Sequence, residues 1–117
     1  MYAFPSDFDV RQFHFAELEM VCFAAFSVYF HFSRDLMLTV TSEFEHCAHG
    51  SYSAARSTFP LQRSELMQLI GSRVTEAKVG DNASLSLTFN NGATLRIHAE
   101  RTYESYTIKH GAREFII

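Results

Sequence analysis

Between Leu85 and Ile97 the chain alternates. Leu85, Leu87 and Phe89 are apolar, Ser86 and Thr88 are polar, Asn90-Asn91-Gly92 interrupts, and Leu95 and Ile97 resume the apolar register. A period of two marks a strand pair with one buried face, and Asn-Gly is a strong hairpin signal. The pattern occurs twice. Val28, Phe30 and Phe32, the turn Ser33-Arg34-Asp35, then Leu36, Leu38 and Val40 repeat it. A shift of 57 positions (85 − 28) lays Val28 on Leu85, Phe30 on Leu87, Phe32 on Phe89, Leu36 on Ala93, Leu38 on Leu95 and Val40 on Ile97. Upstream the register slips by one, and Leu18 meets Val74 (74 − 18 = 56). Downstream, "EFEH" at 43–46 is set against "TYES" at 102–105, a shift of 59 (102 − 43). Changes in loop length give slips of this size.

Other stretches predict helices. In "SDFDVRQF", Ser6 with Asp9 three residues later is a capping-box signal for a short helix. Pro60 suits a first helical turn, and "LQRSELMQLI" after it (61–70) offers Leu61, Leu66, Leu69 and Ile70 as one apolar stripe, with Gly71 as the C′ residue. Val74 to Val79 then reads as a strand, Gly80-Asp81-Asn82 as a turn, and "ESYTIKHGAREFII" as a last hairpin turning at His110-Gly111. Residues 42–58 read as a third strand that fades into a loop. The expected fold class is therefore α+β, mostly antiparallel β. Two repeated helix-plus-β-meander units, approximately 1–56 and 57–117, lie in a single domain (1–117). Each unit has one apolar sheet face that must be covered, so the units are expected to pack as a small sandwich or one strongly bent sheet.

Composition supports a self-sufficient core. A chain of 117 residues buries about two-thirds of its unfolded surface without help from a disulfide or metal. Twelve Phe and no Trp point to full burial, because Phe carries no polar handle. The formal charge of −3 and the ten scattered Lys and Arg, with no run of three, argue against a nucleic-acid partner. The N-terminus "MYAFPSDFDV" lacks a basic region and a long apolar segment, and the most apolar stretch, 20–32, is too short to cross a bilayer. A cytoplasmic protein without a membrane partner is expected. Cys22, in "MVCFAAF", and Cys47 then read as free thiols.

Candidate chemistry is sparse. "EHCAH" holds Glu45, His46, Cys47 and His49, residue types that bind zinc, but a structural site usually needs two spaced pairs, and His98 and His110 are far along the chain. A Cys47–His nucleophile pair would need an oriented base and an oxyanion site. There is no phosphate loop and no dinucleotide fingerprint, and neither a cofactor nor a catalytic set is expected. In "RTYESY", Glu104 and Tyr106 would share one strand face, with Tyr103 on the other. Tyrosines beside a carboxylate suit a protein interface, and equally suit an internal hydrogen bond that ties down a bend.

The segments "ELEMVCFAAFSVYFHFS", "LIGSRV", "LSLTFNNGATLRI", "YESYTI" and "EFII" together resemble a family of small bacterial proteins of unknown biochemical activity. Its members carry a Leu-Gly-x-x-Val start, an L-x-L-x-F-x-N-G-x-x-L hairpin and a Y-E-S-Y-x-I strand. The resemblance covers most of 16–117, with Ala24-Ala25 standing where a glycine turn is expected. Proteins of this look occur beside polymorphic or contact-dependent growth inhibition toxins. The resemblance thus implies an immunity protein that binds a cognate toxin C-terminal domain and occludes its active site. Against a nuclease with a basic cleft, Glu43, Glu45, Glu100 and Glu104, with Tyr103 and Tyr106, are the candidate partner-binding residues. The alternative is a small ligand- or metal-binding domain or enzyme built on Cys47, His46 and His49. A third reading is self-association through the edge offered by "EFII".

Overall fold

The alternating segments form two antiparallel sheets. The computed structural model describes residues 8–47, 55–57, 66–98 and 106–117. In chain order the strands are β1 (Leu18–Phe23), β2 (Val28–Phe32), β3 (Leu36–Val40), β4 (Phe44–Cys47), β5 (Ala55–Ser57), β6 (Val74–Val79), β7 (Leu85–Phe89), β8 (Thr94–Ile97), β9 (Tyr106–His110) and β10 (Arg113–Ile116). One sheet has the order β1-β2-β3-β9-β10, the other β5-β4-β8-β7-β6. Their inner faces share one apolar core, with Phe30, Leu38 and Ile108 from the first sheet and Phe44, Leu87, Leu95 and Ile97 from the second. Phe30 and Phe44 meet edge to face across it, with ring centroids 6.5 Å apart. Each fully buried Leu or Phe contributes about 1.5–3 kcal/mol.

The α+β expectation is corrected. Among the described residues there is no α-helix, only three 3-10 helices: η1 (Val10–Phe13), η2 (Leu66–Leu69) and η3 (Asp81–Ala83). The cap of η1 is Asp9, whose carboxylate accepts from the Arg11 amide at 2.9 Å; Ser6 and residues 58–65 lie outside the described residues. The stripe assigned to a long helix fails at Ile70, which is 46% exposed, while Leu66 and Leu69 are fully buried. A spacing of three is the repeat of a 3-10 turn. One short turn therefore buries both leucines without an α-helix.

The two halves of the chain follow the same course. Adding five to each strand number turns β1, β2 and β3 of the first sheet into β6, β7 and β8 of the second, and β4-β5 corresponds to β9-β10. The last hairpin of each half is exchanged, so β9-β10 completes the sheet of β1–β3, and β4-β5 completes that of β6–β8. Local detail repeats as well. η1 lies 56 positions before η2 (66 − 10). The β1/β2 register slips between Leu18 and Met20, and the β6/β7 register slips between Val74 and Glu76, again 56 positions on. Phe15 (φ +63°) and Gly71 (φ +90°) occupy the same left-handed position.

The halves meet where Glu17 bridges Arg73. Around this bridge the hydrogen bonds come in equivalent pairs. Phe15 N–H donates to Val74 O (2.8 Å) as Gly71 N–H donates to Leu18 O (2.7 Å), and Leu18 N–H donates to Ser72 O as Val74 N–H donates to Ala16 O (both 2.9 Å). Ser33 and Asn90 play equivalent parts, their side-chain oxygens accepting from the Glu17 and Arg73 amides. The Glu17 carboxylate also lies 3.5 Å from Arg73 Nε. This junction is a pseudo-two-fold axis.

The exchange corrects one alignment. Val40 pairs with Tyr106 and Ile97 with Phe44, so Phe44 corresponds to Tyr106, a shift of 62 (106 − 44) instead of 59. The turn at Ala24-Ala25 closes through an Ala24 N–H bond to Ser27 O at 2.9 Å, and none of its residues has a positive φ, so it needs no glycine.

Candidate functional site

Strand alternation decides which expected site residues reach the surface. On β4, Phe44 and His46 face the core, while Glu45 and Cys47 face out. His46, 6% exposed, corresponds to Ile108 on β9 and sits where its counterpart is apolar. His46 and Cys47 therefore point to opposite sides of one sheet and do not converge as a ligand or nucleophile pair. His49 lies outside the described residues. Among the described residues no group of three or more His, Cys, Asp or Glu side chains could hold a metal ion. No helix of the described residues is long and apolar enough to cross a membrane.

The acidic docking surface changes in the same way. Tyr106 is 1% exposed, and its hydroxyl donates to the carbonyl of Ala83, between the sheets. Burial pushes its phenol well above the usual pKa. Tyr106 is thus a core residue and is removed from the partner-binding set. Glu45 is half-buried and accepts from His98 Nε2 at 2.9 Å, and it stands in register between Arg56 and Arg96. Its carboxylate is therefore engaged with His98. Glu43 is half-buried in the link that leads into β4. Glu100, Tyr103 and Glu104 lie outside the described residues.

Comparing equivalent outer faces brings out a surface that the sequence did not. On the second sheet, Lys78, Ser86, Arg96 and Glu45 form one cross-strand row, and Glu76, Thr88, Thr94 and Cys47 the next. Lys78 and Glu76 pair at 2.6 Å, which holds the lysine pKa above its ordinary value. The equivalent rows of the first sheet read Cys22, Tyr29, Thr39, Thr107 and Met20, His31, Met37, Lys109. Each of the four charged positions in those two rows has an uncharged equivalent on the first sheet: Cys22 for Lys78, Thr39 for Arg96, Thr107 for Glu45 and Met20 for Glu76. Charge is confined to the two ends of the first sheet: Lys109 stands in register with Glu114 on β10, and exposed Glu19 sits at the bulge of β1. Same fold, same positions, opposite surface chemistry: the second sheet shows what a solvated face of this fold carries, and the first does not carry it. A residue-by-residue alignment of the outward positions of the two halves would have exposed the contrast, had the hairpin exchange been known.

One small concavity lies at the end of the first sheet. Asp9, Gln12, His110, Arg113 and Phe115 line a notch of about 200 Å³, below the ~300–1,000 Å³ usual for small-molecule sites. Its groups are engaged with one another: His110 Nδ1 donates to Gln12 Oε1 at 2.8 Å, and the Arg113 guanidinium stacks 5.0 Å from the Phe115 ring centre.

The chain belongs to a family of unknown function, DUF6188, whose pattern matches residues 14–117. No curated protein and no solved structure matches it.

Proposed function

We propose that this protein is an immunity protein that binds a cognate bacterial toxin domain and neutralises it by covering the toxin's active site. The observation that carries the reading is the uncharged outer face of the first sheet. Depletion of charge, with Tyr and Met present, distinguishes the buried centre of protein–protein interfaces from ordinary surface. Tyr29 lies at the middle of that face, between Cys22 and Thr39, and supplies a rigid ring with a polar tip. Met37 and Met20 supply adaptable apolar area beside it.

The test is co-expression with the toxin domain encoded beside this gene. Cells should grow with the wild-type protein and stop growing without it. Thr39→Arg installs the residue that the second sheet carries at the equivalent position, Arg96. It should leave folding intact and abolish protection. If Thr39→Arg protects as well as wild type, the first sheet's face is not the interface. If the wild-type protein gives no protection and forms no complex with that domain, the immunity reading is wrong.

A further inference from the structure

The edges of the two sheets differ as sharply as their faces. Among the described residues β1 pairs with β2 alone, and β6 with β7 alone, so both are edge strands in equivalent positions. An open edge invites pairing with another strand, and natural proteins blunt it with charge. β6 is blunted by the Glu76–Lys78 pair. β10, the other edge of the first sheet, carries Arg113 and Glu114, both exposed. β1 has only Glu19, at the bulge near its start, and no charge beyond it. After its bulge at Glu19 it runs Met20, Val21, Cys22, Phe23, with Met20 47% and Phe23 49% exposed. The turn that follows adds exposed Ala24, Ala25 and Phe26. This is the longest uncharged run on a sheet edge among the described residues, and beyond Leu18, whose N–H and C=O bond Ser72 and Gly71, no described strand pairs with the outer side of β1.

We propose that β1 pairs with β1 of a second copy of this chain, antiparallel about a two-fold axis, to join the two first sheets into one continuous sheet. Three features fit this occupant. An isologous contact uses the same edge twice and closes, leaving no open apolar edge. Antiparallel pairing sets outward side chains against outward ones, so Met20 and Cys22 meet their counterparts on one side of the junction, and Val21 and Phe23 meet theirs on the other. The one charge on β1, Glu19, precedes the apolar stretch, and the two-fold sends the two copies of Glu19 to opposite ends of the contact, where they do not repel. The outer faces of the two first sheets then lie side by side and double the uncharged surface.

The experiment is sedimentation velocity on the full chain across a dilution series, with hydrogen exchange of the β1 amides at both ends of the series. The wild-type protein should sediment at twice the chain mass when concentrated, and the amides of Met20 to Phe23 should lose protection on dilution. The double substitution Met20→Glu with Cys22→Lys installs the pair that β6 carries at the same register, so the fold tolerates it. That variant should be a monomer at every concentration, with an unfolding midpoint that matches the diluted wild-type protein and does not rise with concentration. A monomeric wild-type protein at high concentration overturns the proposal, as does a double variant that is folded and still dimeric. In case the double variant does not fold, the concentration dependence of β1 protection in the wild-type protein decides: protection that is the same at all concentrations overturns it.

Discussion

Tyr106→Phe removes one oxygen atom from the centre of the molecule. The hydroxyl of Tyr106 donates to the carbonyl of Ala83 and so links β9 of the first sheet to η3, in the connection between β6 and β7 of the second. Both residues are buried, at 1% and 9% exposure. The phenylalanine ring would keep the packing and leave the Ala83 carbonyl facing apolar atoms. An acceptor left in that state costs about 1–3 kcal/mol, and we expect roughly 2 kcal/mol here. For a chain of this size that corresponds to a fall of roughly 8 °C in Tm. The pH dependence adds a second signature. Desolvation raises the phenol pKa in the native state, so the folded protein keeps a proton that the unfolded chain releases. Stability is then level below the unfolded phenol's pKa, which is about 10, and falls above it by up to about 1.4 kcal/mol per pH unit. At about pH 11 the wild-type protein should have lost about 1.4 kcal/mol through this group, a loss the variant cannot suffer. The gap between the two proteins should therefore narrow from roughly 2 to roughly 0.6 kcal/mol. Urea unfolding followed by far-ultraviolet circular dichroism, near neutral pH and at about pH 11, measures both values. Equal midpoints near neutral pH would refute the hydrogen bond. A gap that stays constant into alkali would refute the burial of the phenol.

Other substitutions test the frame around this bond. Leu87→Asp places an unpaired carboxylate between Ala77 and Leu95 in the core, and should cost about 4 kcal/mol or more; an unchanged Tm would overturn the assignment of the inner face. Gly71 has φ +90° and open space around it, since an added Cβ would meet nothing within 4 Å. Gly71→Ala should therefore lose about 1 kcal/mol to backbone strain alone, and Gly71→Asn less, because Asn tolerates the left-handed region; equal losses in thermal melts would contradict this. Ser42, 3% exposed, donates to the carbonyl of His98 at 2.8 Å, so Ser42→Ala should cost about 1 kcal/mol in urea unfolding, and no loss would show the bond to be dispensable.

The β2–β3 and β7–β8 hairpins were legible because one face of each is buried without exception. Val28, Phe30, Phe32, Leu36, Leu38 and Val40 alternate with half-buried residues through both strands. The segment ending at Ile70 was misread because Leu66 and Leu69 fit a helical stripe and a single 3-10 turn equally well, and only tertiary packing chooses between them. Tyr106 was misplaced for a different reason. Nothing local reveals which sheet a strand joins, and by letters alone "TYES" matches "EFEH". The link from β8 to β9 runs from Ile97 to Tyr106, and the link from β3 to β4 from Val40 to Phe44, five residues shorter (9 − 4). Once that difference is known, Tyr106 falls on Phe44 and Ile108 on His46, and the tyrosine reads as core. The uncharged outer face was hidden for the same reason, since it emerges only when Cys22 is set beside Lys78 and Thr39 beside Arg96.

The exchanged hairpins also govern how this chain can be assembled and cut. Neither half holds all the strands of either sheet, so a fragment ending at Ser57 lacks two strands of the sheet it begins, and a fragment starting at Leu66 lacks two of the other. Nucleation within one half cannot complete a sheet. Pairing of β3 with β9 must bring Leu36 to His110, and closing so long a loop comes late and slowly in folding. Once formed, the same exchange works as a clasp. A protein severed between Ser57 and Leu66 would still have each piece held by hairpins laid into the other's sheet, so its two fragments should come apart only by unfolding.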